Sequence, residues 1–188
     1  MKHVVITGSS AGIGLGLARE FLRSGFSVTI SGRKEEKLKT AKELLKKDSS
    51  EEHIQTKICD VKSIPDIKAL WDAAYERFGR VDIWVNNAGI GQDYKFITDL
   101  EEDEINAIID INVKGVIFGS RIVTDQMEKQ GFGALYNMEG FGSDGRTMVK
   151  LGVYGTSKSA VSYFTKSLIK ETKNSKIIVG LISPGMVI

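Results

Sequence analysis

The sequence predicts a doubly wound α/β fold: one domain, residues 1–188, built on a parallel sheet with helices on its faces. Three observations carry that prediction. Short apolar, β-branched runs alternate with segments of helical periodicity along the whole chain, the pattern of βαβ units with right-handed crossovers. The run Ile177-Ile178-Val179 is apolar without alternation, as expected of a strand buried on both sides. The 188 residues are enough for one hydrophobic core and contain no linker, low-complexity stretch or short repeat.

Each expected element follows from local pattern. His3–Thr7 is a short strand rich in β-branched residues. Gly12–Ser24 sets Leu15, Ala18, Phe21 and Leu22 on one helical face, and Gly25 closes it. Phe26–Ser31 is a second strand. Glu35–Lys47 is an amphipathic helix carrying Leu38, Ala41, Leu44 and Leu45, followed by a strand over His53–Cys59. Ser63 opens a helix with Pro65 in its first turn, which runs to Phe78 and stops at Gly79. Val81–Val85 is a fourth strand. Glu101–Gln130 reads as one long helix terminated by Gly131. Ala134–Met138, Val153–Thr172 and Lys176–Ile182 complete the alternation as strand, helix and strand.

Composition is that of an ordinary globular chain, 41% hydrophobic and 27% charged, with a formal net charge of +2. That imbalance is too weak to predict nucleic acid or an anionic membrane as partner. The cations are spread along helices beside acids, as in Lys34-Glu35-Glu36-Lys37. Cys59 is the single cysteine, so no intramolecular disulfide can form, and it is expected to be a packed core thiol. His3 and His53 are expected to be structural, and no Cys/His cluster has metal-ligand spacing. No run approaches the ~18 apolar residues of a membrane span, and the chain enters a strand at once. A cytoplasmic protein is therefore expected.

Two motifs carry chemistry. Thr7-Gly8-Ser9-Ser10-Ala11-Gly12-Ile13-Gly14 lies between the first strand and the first helix. Glycines at 8, 12 and 14 allow a tight turn, a close backbone approach to a ligand and close helix–strand packing. A pyrophosphate can then face the amides of the helix N-terminus, with Ser9, Ser10 and Ile13 beside it. A Gly-rich loop without a ligand is the bland alternative. The second motif is Tyr154-Gly155-Thr156-Ser157-Lys158. Residues four apart share a helix face. A Lys ammonium about 4 Å from a phenol, at an effective dielectric of about 20, favours the phenolate by roughly 4 kcal/mol. That would bring a group with a pKa of about 10 near neutrality. The alternative is a half-buried helix aromatic.

With these and further motifs the chain resembles the short-chain dehydrogenase/reductase family, whose fold is of the Rossmann type. Asp60-Val61 matches the family's contact to adenine, and Asn86-Asn87-Ala88-Gly89 matches its segment beside the cofactor ribose. Asn112 matches its catalytic asparagine, Tyr154 and Lys158 its proton-transfer pair, and Pro184-Gly185, with Val187 beyond, its turn under the nicotinamide. The resemblance implies hydride transfer between a nicotinamide cofactor and a small-molecule carbonyl or alcohol. Tyr154 would be the general acid/base, Lys158 would lower its pKa and hold the ribose, and Asn112 would position a water. It also implies a homodimer or homotetramer joined through the long helices. The second strand ends Ile30-Ser31-Gly32-Arg33 with no acid to bind a ribose 2′-hydroxyl. Arg33 is instead placed to pair with a 2′-phosphate, with Ser31 adding a hydrogen bond, so NADP(H) is favoured over NAD(H). Arg33 as the mere start of a charged surface helix is the alternative.

The sequence departs from the family at one point. A substrate-binding serine is expected about where Gly140 stands, and Ser143 is the nearest hydroxyl. Either Ser143 reaches the carbonyl through a folded-back Gly-rich loop or it decorates that loop. The segment Asn137-Met138-Glu139-Gly140-Phe141-Gly142-Ser143-Asp144-Gly145-Arg146 resembles the chlorophyll(ide) b reductase-like branch, which reduces a formyl group on a tetrapyrrole. Because the serine is displaced, a non-catalytic NADP(H)-binding sensor or scaffold stands as the rival reading. Epimerisation through a transient ketone is a narrower one. Family members run longer, with a substrate-covering loop and a last strand after the point where this sequence stops at Ile188. Either that C-terminal part is missing from this sequence or the protein is truly short; the first is expected, since a sixth strand left as the sheet edge would expose apolar backbone.

Overall fold

A computed structural model describes residues 1–185. Six parallel strands form one sheet in the order β3-β2-β1-β4-β5-β6. These are β1 (His3–Ile6), β2 (Ser27–Gly32), β3 (Ile54–Ile58), β4 (Ile83–Asn86), β5 (Gly133–Met138) and β6 (Ile177–Ile182). The helices are α1 (Gly12–Arg23), α2 (Glu35–Leu45), α3 (Ile64–Phe78), α4 (Glu102–Ile109), α5 (Gly115–Gln130) and α6 (Gly152–Glu171). The doubly wound prediction is met, and its expected elements agree to within a residue or two at most ends.

Side chains alternate across each strand, and this divides the core in two. Val5, Trp84, Leu135 and Ile177 face α3, α5 and the Leu168 side of α6. Val4, Ile6, Val28, Ile30 and Val85 face α1 and α2. His3 is fully buried, its Nδ1 2.8 Å from the Arg80 carbonyl oxygen and its Nε2 2.8 Å from Thr29 Oγ1. Burial pulls its imidazole down to about 4, so it is a structural histidine. Cys59 is likewise buried, and burial pushes its thiol up to about 12.

Helix punctuation follows the sequence where a cap is written into it. The Ser63 hydroxyl accepts from the Asp66 amide at the start of α3, and Gly79 ends that helix at φ +72°. Gly131 closes α5 at φ +87°.

Two expectations are corrected. The long helix over 101–130 is broken: Asp110–Lys114 forms a π turn between α4 and α5, closed by the Gly115 amide on the Asp110 carbonyl. An i→i+5 bond inserts one residue into the turn and swings the residues within it to a new face. The strand at 177–182 is not buried on both sides either. Ile177 is 8% exposed and Ile178 61% exposed. The helices packed on β6 are α6 and α5, both on the Ile177 face, and α1 and α2 lie over the other half of the sheet.

Candidate active site

The strand order reverses between β1 and β4, so the loops leaving their carboxyl ends diverge and open a crevice. A cleft of about 430 Å³ lies there, lined by Gly8, Ser10, Gly12, Ile13 and Gly14 from the first loop. Asp60 and Val61 after β3, and Asn87, Ala88 and Gly89 after β4, form the opposite wall.

The first loop is shaped by what its glycines lack. A β-carbon on Gly8 would lie 2.6 Å from the Ala88 Cα, and one on Gly14 would lie 2.5 Å from Asn87 Nδ2. These two positions therefore clamp the loop against β4 and α1. Gly12, at φ +57°, would meet nothing within 4 Å, so its bare Cα faces open cleft. Thr7 and Asn87 tie the two loops together. The Asn87 and Ala88 amides donate to Thr7 Oγ1 at 3.0 and 3.1 Å, and Asn87 Nδ2 donates to the Thr7 carbonyl at 2.8 Å. The N-cap of α1 is Ala11, which offers no side-chain acceptor, so the first-turn amides are left for a ligand. Uncapped amides, a glycine cradle and a crevice at the switch point fit a dinucleotide pyrophosphate.

Ser9 and Ser31 lie behind this surface rather than on it. The Ser9 hydroxyl donates to the Ile6 carbonyl at 2.6 Å and accepts from the Ser31 amide at 2.9 Å. The Ser31 hydroxyl is buried and turned to the Ile6 carbonyl at 3.4 Å. Arg33 lines the cleft and is joined by Lys34 and Lys37, two cations that stand beside acids in the sequence. Glu35 and Glu36 instead engage Lys39, at 3.4 and 3.0 Å. Arg33 lies before α2 and Lys37 in its first turn, so helical spacing does not announce that the two share the cleft.

A second cavity, of about 330 Å³, adjoins the first and shares Ile13, Asn87, Gly89 and Ile90 with it. Its other wall carries Tyr154, Lys158, Glu139, Gly140 and Phe141, with Pro184 and Gly185 at its edge. Tyr154 and Lys158 rise from the start of α6. Gln92 fixes that end by accepting from the Tyr154 amide at 2.9 Å and donating to the Lys150 carbonyl at 2.8 Å. Lys158 is only 6% exposed; its Nζ donates to the Met138 carbonyl at 3.3 Å and lies 5.8 Å from the Tyr154 ring centroid. Burial pulls the Lys158 ammonium down to about 8, against an opposing pull from Glu139. Burial pushes the Tyr154 phenol above its ordinary value. The expected lowering of the phenol by its lysine is thus not what this geometry produces. The ammonium sits against a backbone carbonyl, and desolvation governs both groups.

The π turn aims Asn112 inward. Its Oδ1 accepts from the Ile90 amide at 2.9 Å, and its Nδ2 donates to the Ile90 carbonyl at 2.9 Å and to Ser157 Oγ at 3.1 Å. Asn112 therefore fastens the loop after β4 to α6 beside Lys158. A β-carbon on Gly89 would lie 3.3 Å from Asn112 Oδ1 and 3.6 Å from Lys158 Nζ. Ser143 is not among the side chains lining this cavity; it sits in a turn, its amide donating to the Gly140 carbonyl at 3.1 Å. Val187 lies outside the described residues. No group of three metal-ligating side chains occurs among the described residues.

With this geometry in hand, the family model for short chain dehydrogenases matches residues 2–188. The chain belongs to that family. It is 37% identical over 190 residues to chlorophyll(ide) b reductase NOL, a chloroplastic protein of Oryza sativa subsp. japonica, covering 98% of this chain and 55% of that one. The probable chlorophyll(ide) b reductase NYC1 of the same plant is 36% identical over 203 residues, covering 100% of this chain and 40% of that one. The chain thus spans about half the length of these curated relatives or less. Among solved structures, 3-ketoacyl-(acyl-carrier-protein) reductase from Brucella melitensis, complexed with NADH, superposes with a TM-score of 0.88 at 29% identity. That match covers 97% of this chain and 75% of the other. The closed form of a serine dehydrogenase, complexed with NADP+, gives 0.88 at 26% identity, covering 98% and 72%. The family is one of oxidoreductases, and its nicotinamide-binding fold is the fold of this chain. Among the described residues, no helix is long and apolar enough to cross a membrane.

Proposed function

We propose that this chain is an NADP(H)-dependent reductase of carbonyl groups, with Tyr154 as the proton donor. One observation carries the reading: the cavity holding Tyr154 and Lys158 lies beside the glycine-lined cleft and shares four lining residues with it. A hydride donor in the cleft and a proton donor in the cavity can then reach one substrate carbonyl. The cofactor, when bound, supplies the hydride; the protein supplies binding and orientation. Gly8, Gly12 and Gly14 would cradle its pyrophosphate, Asp60 and Val61 its adenine, and Asn87, Ala88 and Gly89 its ribose. Arg33, with Lys34 and Lys37, supports NADP(H) over NAD(H), because three cations converge on the cleft at the end of β2 and no acid stands there. Tyr154 gives its proton to the carbonyl oxygen, and Lys158 lies on the route by which the proton is returned.

Reduction of an aldehyde is the favoured direction and substrate. Burial keeps the phenol protonated at neutral pH, and the segment Asn137–Arg146 is the one that resembles formyl reductases. A homodimer or homotetramer through α5 and α6 belongs to the same reading; Tyr163 on α6 is 80% exposed. Light scattering tests it, since a mass of 20.7 kDa in solution would rule assembly out. A cytoplasmic location rests on the sequence alone, and the rice relatives are chloroplastic.

The test is consumption of NADPH, with NADH in parallel, against a panel of aldehydes and ketones. Turnover with preference for NADPH is the expected result. Tight NADPH binding without turnover on any carbonyl would favour the sensor reading. Interconversion of epimeric alcohols without net NADPH consumption would favour epimerisation.

A further inference from the structure

Gly140 stands where the family's substrate-binding serine is expected, and its surroundings give the glycine a purpose. A β-carbon at this position would lie 2.5 Å from the Tyr154 hydroxyl oxygen, and 3.2 and 3.3 Å from Lys158 Cε and Cγ. The phenol is therefore seated directly on the Gly140 Cα.

The loop that carries Gly140 is fastened on both sides. Before it, the Glu139 amide donates to the Ile182 carbonyl at 2.8 Å, and the Met138 carbonyl accepts from Lys158. After it, Ser159 Oγ donates to the Gly142 carbonyl at 2.6 Å. Gly142, at φ +97°, is pressed so closely on α6 that a β-carbon there would lie 2.6 Å from the Gly155 Cα. Backbone packed on backbone does not give way, so a side chain at 140 would move the phenol rather than the loop. Among the described residues lining the cavity, Tyr154 carries the only hydroxyl.

We infer that Gly140 is a positioning residue: its bare Cα is the seat that fixes the Tyr154 hydroxyl, the single hydroxyl donor among the described residues of this carbonyl site. The inference rests on the reading of Tyr154 as proton donor. In the reduction, the hydride forms the new C–H bond, the C=O π pair moves to oxygen, and the Tyr154 O–H breaks as its proton joins that oxygen. With one donor, the position of that hydroxyl decides whether the transfer occurs. Serine at 140, which the family uses elsewhere, is thus an obstacle here.

The test compares wild type, Gly140→Ala, Gly140→Ser, Tyr154→Phe and the double variant Gly140→Ala/Tyr154→Phe. Benzaldehyde and NADPH are the probes, with NADPH affinity from fluorescence titration and stability from thermal melts. Both Gly140 variants are expected to lose tenfold or more in kcat while the NADPH Kd stays within twofold, because the seat lies outside the cofactor cleft. Gly140→Ser turning over at the wild-type rate or faster, while Tyr154→Phe is inactive, would overturn the inference and leave the Tyr154 reading intact. Tyr154→Phe at full activity would instead remove the reading beneath it. The melts decide even if Gly140→Ala folds poorly. Removing the phenol oxygen removes the clashing atom, so alanine should lower Tm less in the Tyr154→Phe background than in wild type. Equal losses in both backgrounds would overturn the inference.

Discussion

At the scale of single residues, burial and not charge pairing sets the chemistry of the Tyr154 pair. Lys158 is buried against the Met138 carbonyl and pulled down to about 8, while Tyr154 is pushed up. A protonated Lys158 can return a proton to the tyrosinate formed on reduction, and a neutral one returns it less readily. Turnover in the reductive direction is therefore expected to fall as pH rises through about 8, and a pH profile of Lys158→Met should lack that limb. Arg33 governs the choice of cofactor. A charge-assisted hydrogen bond is worth roughly 1.5–3 kcal/mol, so Arg33→Ala should weaken NADPH binding roughly 10- to 100-fold and leave NADH unchanged in parallel fluorescence titrations. Both positions are legible in the sequence, since a YxxxK spacing and a strand end are local features. The inward turn of Ser9 and Ser31 is not, because which hydroxyl meets the Ile6 carbonyl is decided by the pleat of two neighbouring strands. Nor is Gln92, which reaches Tyr154 across 62 positions of sequence.

At the scale of elements, the turn after β1 and the break in the long helix show what local pattern can and cannot reveal. Gly8, Gly12 and Gly14 announce a strand–turn–helix unit with close packing, and the structure shows what Gly14 packs against. Its β-carbon would lie 2.5 Å from Asn87 Nδ2 and 2.8 Å from both the Gly8 carbonyl oxygen and the Ser9 Cα. Gly14→Ala must push the start of α1 away from the Gly8–Ser9 backbone and the Asn87 side chain, a forced overpacking of about 1–3 kcal/mol. A lower urea midpoint together with weaker NADPH binding is expected, and an unchanged midpoint would contradict the clamp. The π turn at Asp110–Lys114 leaves no mark in the periodicity of 101–130, where apolar residues run on at helical spacing. Its cause is tertiary: Asn112 is drawn inward by the Ile90 backbone and Ser157, which no residue within the helix specifies.

At the scale of the molecule, alternation of strands and helices is enough to read the sheet, and the reversal between β1 and β4 fixes where the cleft opens. Coverage of the sheet is less legible. Ile178 is as apolar as its neighbours yet 61% exposed, because coverage depends on which helices return over which half of the sheet. The whole fold also carries an acid limit. His3 bridges β1, β2 and the segment before β4, and its folded-state pKa of about 4 lies below the ordinary 6.5. The unfolded chain then binds more protons between those values, so stability is full above pH 6.5 and is lost as pH falls towards 4. About 3 kcal/mol is at stake, since each tenfold change in proton affinity is worth about 1.4 kcal/mol. Urea midpoints measured across that range should fall with acidity, and the slope should shrink in His3→Gln.

The most direct test of the central claim follows the hydride itself. NADPH deuterated at the transferring position is supplied with an aldehyde to wild type and to Tyr154→Phe, and the alcohol is analysed for label. One deuterium on the alcohol carbon per NADPH consumed is the predicted result for wild type. Tyr154→Phe should bind NADPH normally and turn over about 10²- to 10⁴-fold more slowly. Bound NADPH with no label in any product, or undiminished transfer without the Tyr154 hydroxyl, would contradict the account.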